Sequence, residues 1–332
     1  MRKKHFLFAS VLALLCGSST LHAQDFKLTS SGYFKNQGVD VMAFDDIYPE
    51  GHQGGVCIIM NGHRVATNGD IRLEATPGQW QPVPKQLDRK LGDNSITATL
   101  CYPDSSRHLT GFNPMIYPDL HLIYTVNVES KGKNIEVTVD LDRPIPQEFI
   151  GKVGFNLEFF PGSLFGKPWI MDGQSGIFPQ QPNSPLMTTQ PNYLHTGNYH
   201  DGKKSLADMD KLIGKGYSPI VADDIISEPY AKGTKFTSRP DDPYNKVTIE
   251  SLSGDLQLFD GRMNHNNGWF VLRSNIKPGV TKGAVKWIIT PNVVADWMYQ
   301  PVIQTSQIGY HPTQDKEAVI EMDIRDNRKE TA

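Results

Sequence analysis

The sequence predicts an all-β protein built around a large antiparallel β-sandwich, and three observations support this. Apolar and polar side chains alternate with a period of two in many segments, which is typical of half-buried strands. The 29 glycines and 23 prolines favour short strands joined by many turns. A helical pattern occurs in one short segment, where Ser205 can cap a helix that buries Leu206, Met209 and Ile213 and ends at Gly214 or Gly216.

The alternation is clearest in residues 96–102, 120–129 and 135–142, and further strands are expected at 153–160, 246–251, 256–260, 269–274 and 284–290. Two short linkers predict hairpins. Residues 131–134 join two of the clearest strands, and Asn61-Gly62 joins 56–60 to 63–67 because this dipeptide tolerates the positive φ angles of a type I′ turn. Residues 161–200 are rich in proline and aromatic side chains and predict a long irregular loop on the sandwich.

The N-terminus has the features of an export signal. Arg2, Lys3 and Lys4 precede an apolar run that is too short to cross a bilayer, and Ala23 offers a small residue at a cleavage edge. We therefore expect residues 1–23 to be a signal peptide and the protein to be exported, either to the periplasm or to the cell surface and the extracellular space.

Charge and cysteine content set limits on partners. Removing residues 1–23 removes three basic residues and no acidic one, so the formal charge changes from −3 to −6. This predicts no nucleic-acid partner, and no later apolar stretch is long enough for a membrane span. Two cysteines remain, Cys57 and Cys101, which could form a disulfide in an exported protein or remain as two buried thiols.

Two carboxylates are candidates for sugar chemistry. Glu158 lies on the polar side of the segment Phe155-Asn156-Leu157-Glu158-Phe159, and Asp172 follows Trp169. Together they could bind or cleave a sugar, as paired carboxylates do in glycosidases. The alternative is structural: Glu158 ties neighbouring loops by hydrogen bonds, and Asp172-Gly173 forms a turn.

Tryptophans are the second class of candidate, since a sugar ring can stack on a flat aromatic face. Trp80 and Trp169 are expected in loops and are the predicted carbohydrate contacts. Trp269 and Trp287 lie in alternating segments and are expected in the core.

Other chemistries have no support in the sequence. The histidines show no zinc-binding spacing, and the best acidic cluster, Asp45-Asp46 near Glu50 and His52, is interpreted as a solvated loop, so no metal and no cofactor are predicted. A nucleophile-elbow motif and a glycine-rich phosphate loop are both absent from the sequence.

The C-terminal region carries a family resemblance. Gln307-Ile308-Gly309-Tyr310-His311-Pro312, followed by Lys316 and Ala318-Val319-Ile320, resembles the opening of the immunoglobulin-like module that precedes the catalytic domain in glycoside hydrolase family 9. Ser306 departs from the pattern, where asparagine is common. Segments of the body, such as Phe155-Asn156-Leu157-Glu158 and Met171-Asp172-Gly173, are similar to the β-rich region found ahead of that module in exported Bacteroidetes proteins of the family.

The resemblance implies a division of the chain and a missing part. It implies a large sandwich over residues 24–300, similar to a galactose-mutarotase-like super-sandwich, and an incomplete immunoglobulin-like domain over 301–332. Family 9 enzymes are inverting hydrolases whose catalytic residues lie in a helical barrel, with the base in an Asp-Ala-Gly-Asp type motif. This sequence contains neither, so no family catalytic residue maps onto it, and a C-terminal catalytic module would be a partner absent from this chain.

Three functions follow as expectations. The first is an accessory N-terminal portion of an exported, β-glucan type, polysaccharide-degrading glycoside hydrolase, which positions the catalytic module or binds a polysaccharide or oligosaccharide. The second is a stand-alone carbohydrate-binding sandwich without catalysis. The third is a sugar-active enzyme with its own carboxylate site, using Glu158 and Asp172.

Overall fold

The fold is taken from a computed structural model, which describes residues 25–45, 55–74, 76–77, 84–102, 120–182, 228–263 and 268–323. Within these residues the chain forms twenty β-strands, numbered in chain order, and short 3-10 turns. The first sheet contains β1 (Lys27–Leu28), β2 (Phe34–Asn36), β3 (Val39–Ala43), β4 (Val56–Met60), β5 (His63–Leu73), β10 (Val153–Phe159), β13 (Ala231–Gly233), β16 (Leu256–Asp260) and β17 (Phe270–Asn275).

The second sheet also has nine strands: β6 (Lys85–Leu91), β7 (Ser95–Cys101), β8 (Ile123–Lys131), β9 (Asn134–Leu141), β11 (Pro168–Met171), β12 (Gln174–Ile177), β14 (Lys235–Ser238), β15 (Val247–Ser251) and β18 (Val285–Pro291). The strand order is β1-β2-β3-β4-β5-β10-β17-β16-β13 in the first sheet and β12-β11-β14-β15-β18-β9-β8-β7-β6 in the second. The neighbouring strands pair antiparallel, which confirms the predicted fold class.

The hydrophobic core lies between the two sheets. Phe155 of β10 meets Trp287 of β18 edge to face, with ring centroids 4.9 Å apart, and Phe159 meets Phe236 of β14 at 5.7 Å. The indole N–H of Trp287 donates to Ser274 Oγ at 3.0 Å, which satisfies the polar end of a fully buried side chain. Trp287 is therefore a core residue, as the sequence predicts.

Local turn chemistry sets the hairpins. Asn61 and Gly62 join β4 to β5 with φ angles of 53° and 82°, the two positive values that a type I′ turn requires. Gly132 has a φ of 65° in the turn between β8 and β9. Both hairpins were predicted from these residues, and both are confirmed.

The strands predicted from alternation are present with small shifts at their ends. Short strands with weaker patterns, such as β2, β11 and β14, were not predicted because a few residues cannot display a period. The predicted signal peptide and the predicted helix near Ser205 lie outside the described residues, as does 183–200 of the predicted long loop. In the described part of that loop the prediction of irregular structure is wrong, because β11 and β12 form a hairpin there.

A third, two-stranded sheet follows the sandwich. β19 (Val302–Thr305) pairs antiparallel with β20 (Ala318–Glu321), and Ile303 lies opposite Ile320. The aliphatic side chains of this hairpin are 51–69% exposed. This is the region in which the resemblance to an immunoglobulin-like module lies.

Candidate functional site

The central strands of the first sheet are apolar on one side and polar on the other. In β10, Phe155, Leu157 and Phe159 belong to the core, while Asn156 and Glu158 project from the opposite side. We call this second side the outer face of the first sheet. Glu158 on this face is only 4% exposed, so the polar side of the strand is buried as well.

The outer face holds a buried ion pair between distant parts of the chain. Arg273 Nη1 lies 3.2 Å from Glu74 Oε1 and donates to Asn156 Oδ1, also at 3.2 Å. Asn156 Nδ2 donates to the same Glu74 oxygen at 2.6 Å, and Arg273 Nε donates to Asn275 Oδ1 at 2.7 Å. Gly154 leaves room for this guanidinium, since a Cβ there would lie 2.7 Å from Arg273 Nε. The pair is thus fixed by both packing and hydrogen bonds.

A second set of charges extends the pair along β5. Arg72 Nη1 lies 3.7 Å from Asp70 Oδ2, and the hydroxyl of Tyr124 in the second sheet donates to Asp70 Oδ1 at 2.9 Å. Asn68, with a φ of 54° at a bulge in β5, donates to Glu158 Oε2 at 2.7 Å. We refer to the following six residues as the charged cluster: Asp70, Arg72, Glu74, Asn156, Glu158 and Arg273.

Burial shifts the two paired acids of the cluster toward neutral pH. It raises the pKa of Glu74 to about 7, and the charge of Arg273 and the hydrogen bond from Asn156 offset this only in part. It raises the pKa of Asp70 to about 6, against the opposing effects of Arg72 and Tyr124. The cluster can therefore take up or release a proton near neutral pH.

An aromatic pair borders the charged cluster. Phe160 and Trp269 continue the pairing of β10 with β17, one residue beyond the core pair Phe159 and Phe270, so alternation places them on the outer face with Glu158. Their rings meet edge to face, with centroids 4.2 Å apart, and both remain partly exposed. We call Phe160 and Trp269 the aromatic rim. The expectation that Trp269 is a core residue is wrong, because Trp269 lies just before β17 and faces away from Phe270.

Rim and cluster together combine two kinds of contact that polyhydroxylated ligands use. Flat aromatic rings offer apolar faces on which a sugar ring can stack. Carboxylates and side-chain amides offer acceptors and donors for hydroxyl groups. The arrangement can also place a carboxyl group beside a stacked ligand, because Glu158 precedes Phe160 by two residues on the same face.

The structure does not bring the predicted carboxylates Glu158 and Asp172 together. Glu158 lies in β10 of the first sheet, whereas Asp172 lies in the turn between β11 and β12 of the second. Asp172 accepts hydrogen bonds from the Thr234 backbone at 2.5 Å and the Lys235 backbone at 3.0 Å, and these bonds lower its pKa. Its φ of 45° and the 84° of Gly173 mark a tight hairpin turn, so Asp172 has the structural role that the sequence left open as the alternative.

The two predicted sugar-contacting tryptophans have different outcomes. Trp80 lies outside the described residues. Trp169 lies in strand β11 rather than in a loop, and it is buried in the core with its ring against Gly176, where a Cβ would come within 2.5 Å of the indole. A glycine on the neighbouring strand β12 thus makes the space for this ring.

Cys57 and Cys101 are both buried, and no disulfide joins them. Cys57 lies in β4 of the first sheet and Cys101 in β7 of the second, and the residues on either side of each face the core. Alternation therefore directs the two sulfurs to opposite sides of a sandwich roughly 10 Å thick. A disulfide needs Cα atoms within about 7 Å, so this geometry does not allow one.

The described residues offer neither a metal-binding group nor a membrane-spanning helix. Within them, no group of three or more histidine, cysteine, aspartate or glutamate side chains is arranged to hold a metal ion. No helix in the same part of the chain is long and apolar enough to cross a membrane.

Several residues of the candidate site were not predicted from the sequence, namely Glu74, Arg72, Arg273 and the rim residue Trp269. A local signal exists for the two arginines. Each interrupts an apolar strand, as Ile71-Arg72-Leu73 and Leu272-Arg273-Ser274 show, and a charge between core-facing residues of a central strand indicates a polar network behind the sheet.

No protein-family model matches the chain, and no curated protein matches it. Similar solved structures include the Slr1438 protein from Synechocystis sp. PCC 6803, with 11% identity, a TM-score of 0.34, and coverage of 80% of this chain and 94% of that one. A galactose mutarotase related enzyme from Lactobacillus acidophilus has 10% identity and a TM-score of 0.34 over 80% and 98% of the two chains. Heparan sulfate lyase HepC from Pedobacter heparinus has 11% identity and a TM-score of 0.29 over 91% and 41%. Similarities this low assign neither a family nor an activity to this chain.

Proposed function

We propose that this protein binds a carbohydrate on the outer face of its first sheet, as an accessory part of an exported polysaccharide-degrading hydrolase. The observation that carries the proposal is the aromatic rim beside Glu158 and the charged cluster. Stacking on the partly exposed rings of Phe160 and Trp269 would hold the sugar ring, and Glu158, buried beside them on the same face, would accept from a hydroxyl that reaches past the rim.

The charges of the cluster favour a neutral sugar over an acidic one. Arg72 pairs with Asp70 and Arg273 with Glu74, so both guanidinium groups of the cluster already have carboxylate partners. Glu158 adds a further negative charge nearby. Within the charged cluster, three carboxyl groups stand beside two guanidinium groups, so a neutral glucan is favoured over a uronic acid or a sulfated sugar.

The accessory role rests on the sequence rather than on the site. The C-terminal motif that includes Gly309-Tyr310 resembles the module that precedes the family 9 catalytic domain, and the N-terminus has the features of an export signal. These features support an exported protein that holds polysaccharide near a catalytic module. A β-glucan is the polymer that this resemblance favours.

Calorimetric titration of the purified protein with neutral gluco-oligosaccharides and with oligogalacturonides tests the proposal. We expect the neutral sugars to bind and Trp269→Ala to weaken binding about tenfold, since the loss of one stacking ring corresponds to about 1.4 kcal/mol. Tyr244→Ala is the matched control, because Tyr244 is an aromatic residue 49% exposed in the turn that precedes β15. Absence of binding by any neutral sugar, or equal losses in the two variants, would contradict the proposal.

Catalysis at the same face is a second candidate. Glu158 lies beside the rim, and the pKa of Glu74 in the same cluster is raised to about 7 by burial, as a general acid at neutral pH requires. Incubation with neutral oligosaccharides, followed by chromatography of the products, tests this function. Turnover by the wild type that is lost in Glu158→Gln would support it, whereas binding without turnover would leave the accessory role.

A further inference from the structure

Two neighbouring turns at one end of the first sheet receive the segment that follows the sandwich. Gln37 and Gly38 join β2 to β3, and Asn61 and Gly62 join β4 to β5. The two turns are in contact, since the backbone N–H of Asn61 donates to the carbonyl of Gly38 at 2.6 Å. They form a small platform beneath residues 297–299.

Trp297 and Tyr299 pack on this platform, and we call them the aromatic clamp. A Cβ on Gly38 would lie 2.6 Å from Trp297 Cε3, and one on Gly62 would lie 3.1 Å from Tyr299 Cε1. Gln37 Nε2 donates to the Trp297 carbonyl at 2.5 Å. The two rings also meet each other edge to face, with centroids 4.3 Å apart. Only residues without a side chain allow rings to approach the turns so closely.

The clamp also joins the two strands at the open end of the β19–β20 hairpin. The backbone N–H of Tyr299, just before β19, donates to Asp323 Oδ2 at 3.0 Å, and Asp323 lies just after β20. Asp323 is only 5% exposed, although most of the hairpin is open to solvent. The two strands of the hairpin are thus joined at its open end, and this end packs on the sandwich through Trp297 and Tyr299.

We propose that residues 297–323 form an arm that is fixed rigidly to the first sheet by the aromatic clamp. A hairpin joined to the sandwich by a single chain link could swing, but one whose open end packs through two rings, with its second strand bonded to that same end, keeps a single orientation. The arm would therefore present its exposed strands at a set angle to the outer face, whether or not that face binds sugar.

Distance measurement between two spin labels tests the arm. One label replaces Lys90 in β6, whose side chain is 78% exposed, and the other replaces Val319 in β20, which is 65% exposed. Cys57 and Cys101 are buried and out of reach of the reagent, and Cys16 is replaced by serine so that it takes no label. A free coil of about ten residues before β19 would spread the distances over roughly 15–20 Å. We expect a single distribution in the wild type that is at least about twofold narrower than this.

Variants of the clamp make the result specific. The double variant Trp297→Ala, Tyr299→Ala should broaden the distribution toward the free-coil width. Met298→Ala should leave it unchanged, because Met298 lies between the two in sequence and is 36% exposed. Gln37→Ala removes only the hydrogen bond to the Trp297 carbonyl, and it should broaden the distribution to a smaller extent even if the double variant folds poorly.

A broad wild-type distribution, or a narrow one that survives loss of both rings, would overturn the proposal. Either result is independent of the sugar titration, because neither label nor any varied residue lies on the aromatic rim or in the charged cluster.

Discussion

Replacement of Gly154 by alanine is the sharpest test of the charged cluster. Gly154 lies in β10 opposite Arg72 and Asn275, beneath the guanidinium of Arg273. A Cβ at this position would lie 2.7 Å from Arg273 Nε, 3.0 Å from Arg273 Cζ and 2.8 Å from the backbone oxygen of Ser274. Real Cβ atoms do not approach other atoms so closely, so the guanidinium must move away from Glu74.

The expected loss of stability follows from the Arg273–Glu74 ion pair that this movement breaks. Separation of a buried ion pair costs about 3–5 kcal/mol, because each charge is left without a partner. Alanine restricts the unfolded chain more than glycine does, which offsets this by about 0.4–1 kcal/mol. We therefore expect Gly154→Ala to lower the free energy of unfolding by about 2–4 kcal/mol, a large part of the stability of a typical domain.

Urea denaturation followed by tryptophan fluorescence measures this change. Gly162→Ala is the matched control, because no atom lies within 4 Å of a Cβ there, and we expect it to change stability by less than about 1 kcal/mol. In an Arg273→Met background the two close contacts with the guanidinium are gone and the contact with the Ser274 oxygen remains, so Gly154→Ala should cost less but not nothing, as a double-mutant cycle would show. A loss below about 1 kcal/mol in the wild-type background would refute the assigned position of the guanidinium.

Three further predictions concern the cluster, the core and the cysteines. The pKa is raised to about 7 for Glu74 and to about 6 for Asp70, so the folded state holds protons that the unfolded state has already lost. These groups therefore lower the free energy of unfolding as pH rises from about 4 to 7. Urea midpoints measured across that range should fall with pH, and Glu74→Gln should flatten this dependence. Phe155→Ala should cost about 3–5 kcal/mol in urea denaturation, because it leaves a cavity beside Trp287, and a cost under about 1 kcal/mol would contradict the packing between the sheets. Thiol titration without reductant should detect Cys57 and Cys101 only after unfolding; failure to detect them in the unfolded chain would indicate a disulfide.

The tryptophans show where inference from local pattern fails. Trp287 alternates with Val285 and Ile289 in a long strand, so its burial could be predicted. Trp169 lies in a four-residue strand whose pattern is too short to recognise, and its burial depends on a glycine in the adjacent strand. Trp269 stands next to the apolar residues that open β17 but lies one residue before Phe270. Because Phe270 faces the core, alternation directs the side chain of Trp269 away from it.

The sequence by itself determined the fold class, most of the long strands and the two hairpin turns, since alternation and turn chemistry are properties of neighbouring residues. The tertiary structure alone decided which residues form the candidate site. Glu74 meets Asn156 across 82 positions and Arg273 across 199, because β5, β10 and β17 pair only after the sheet has assembled. Such contacts depend on strand order and register, and no local pattern encodes either of them.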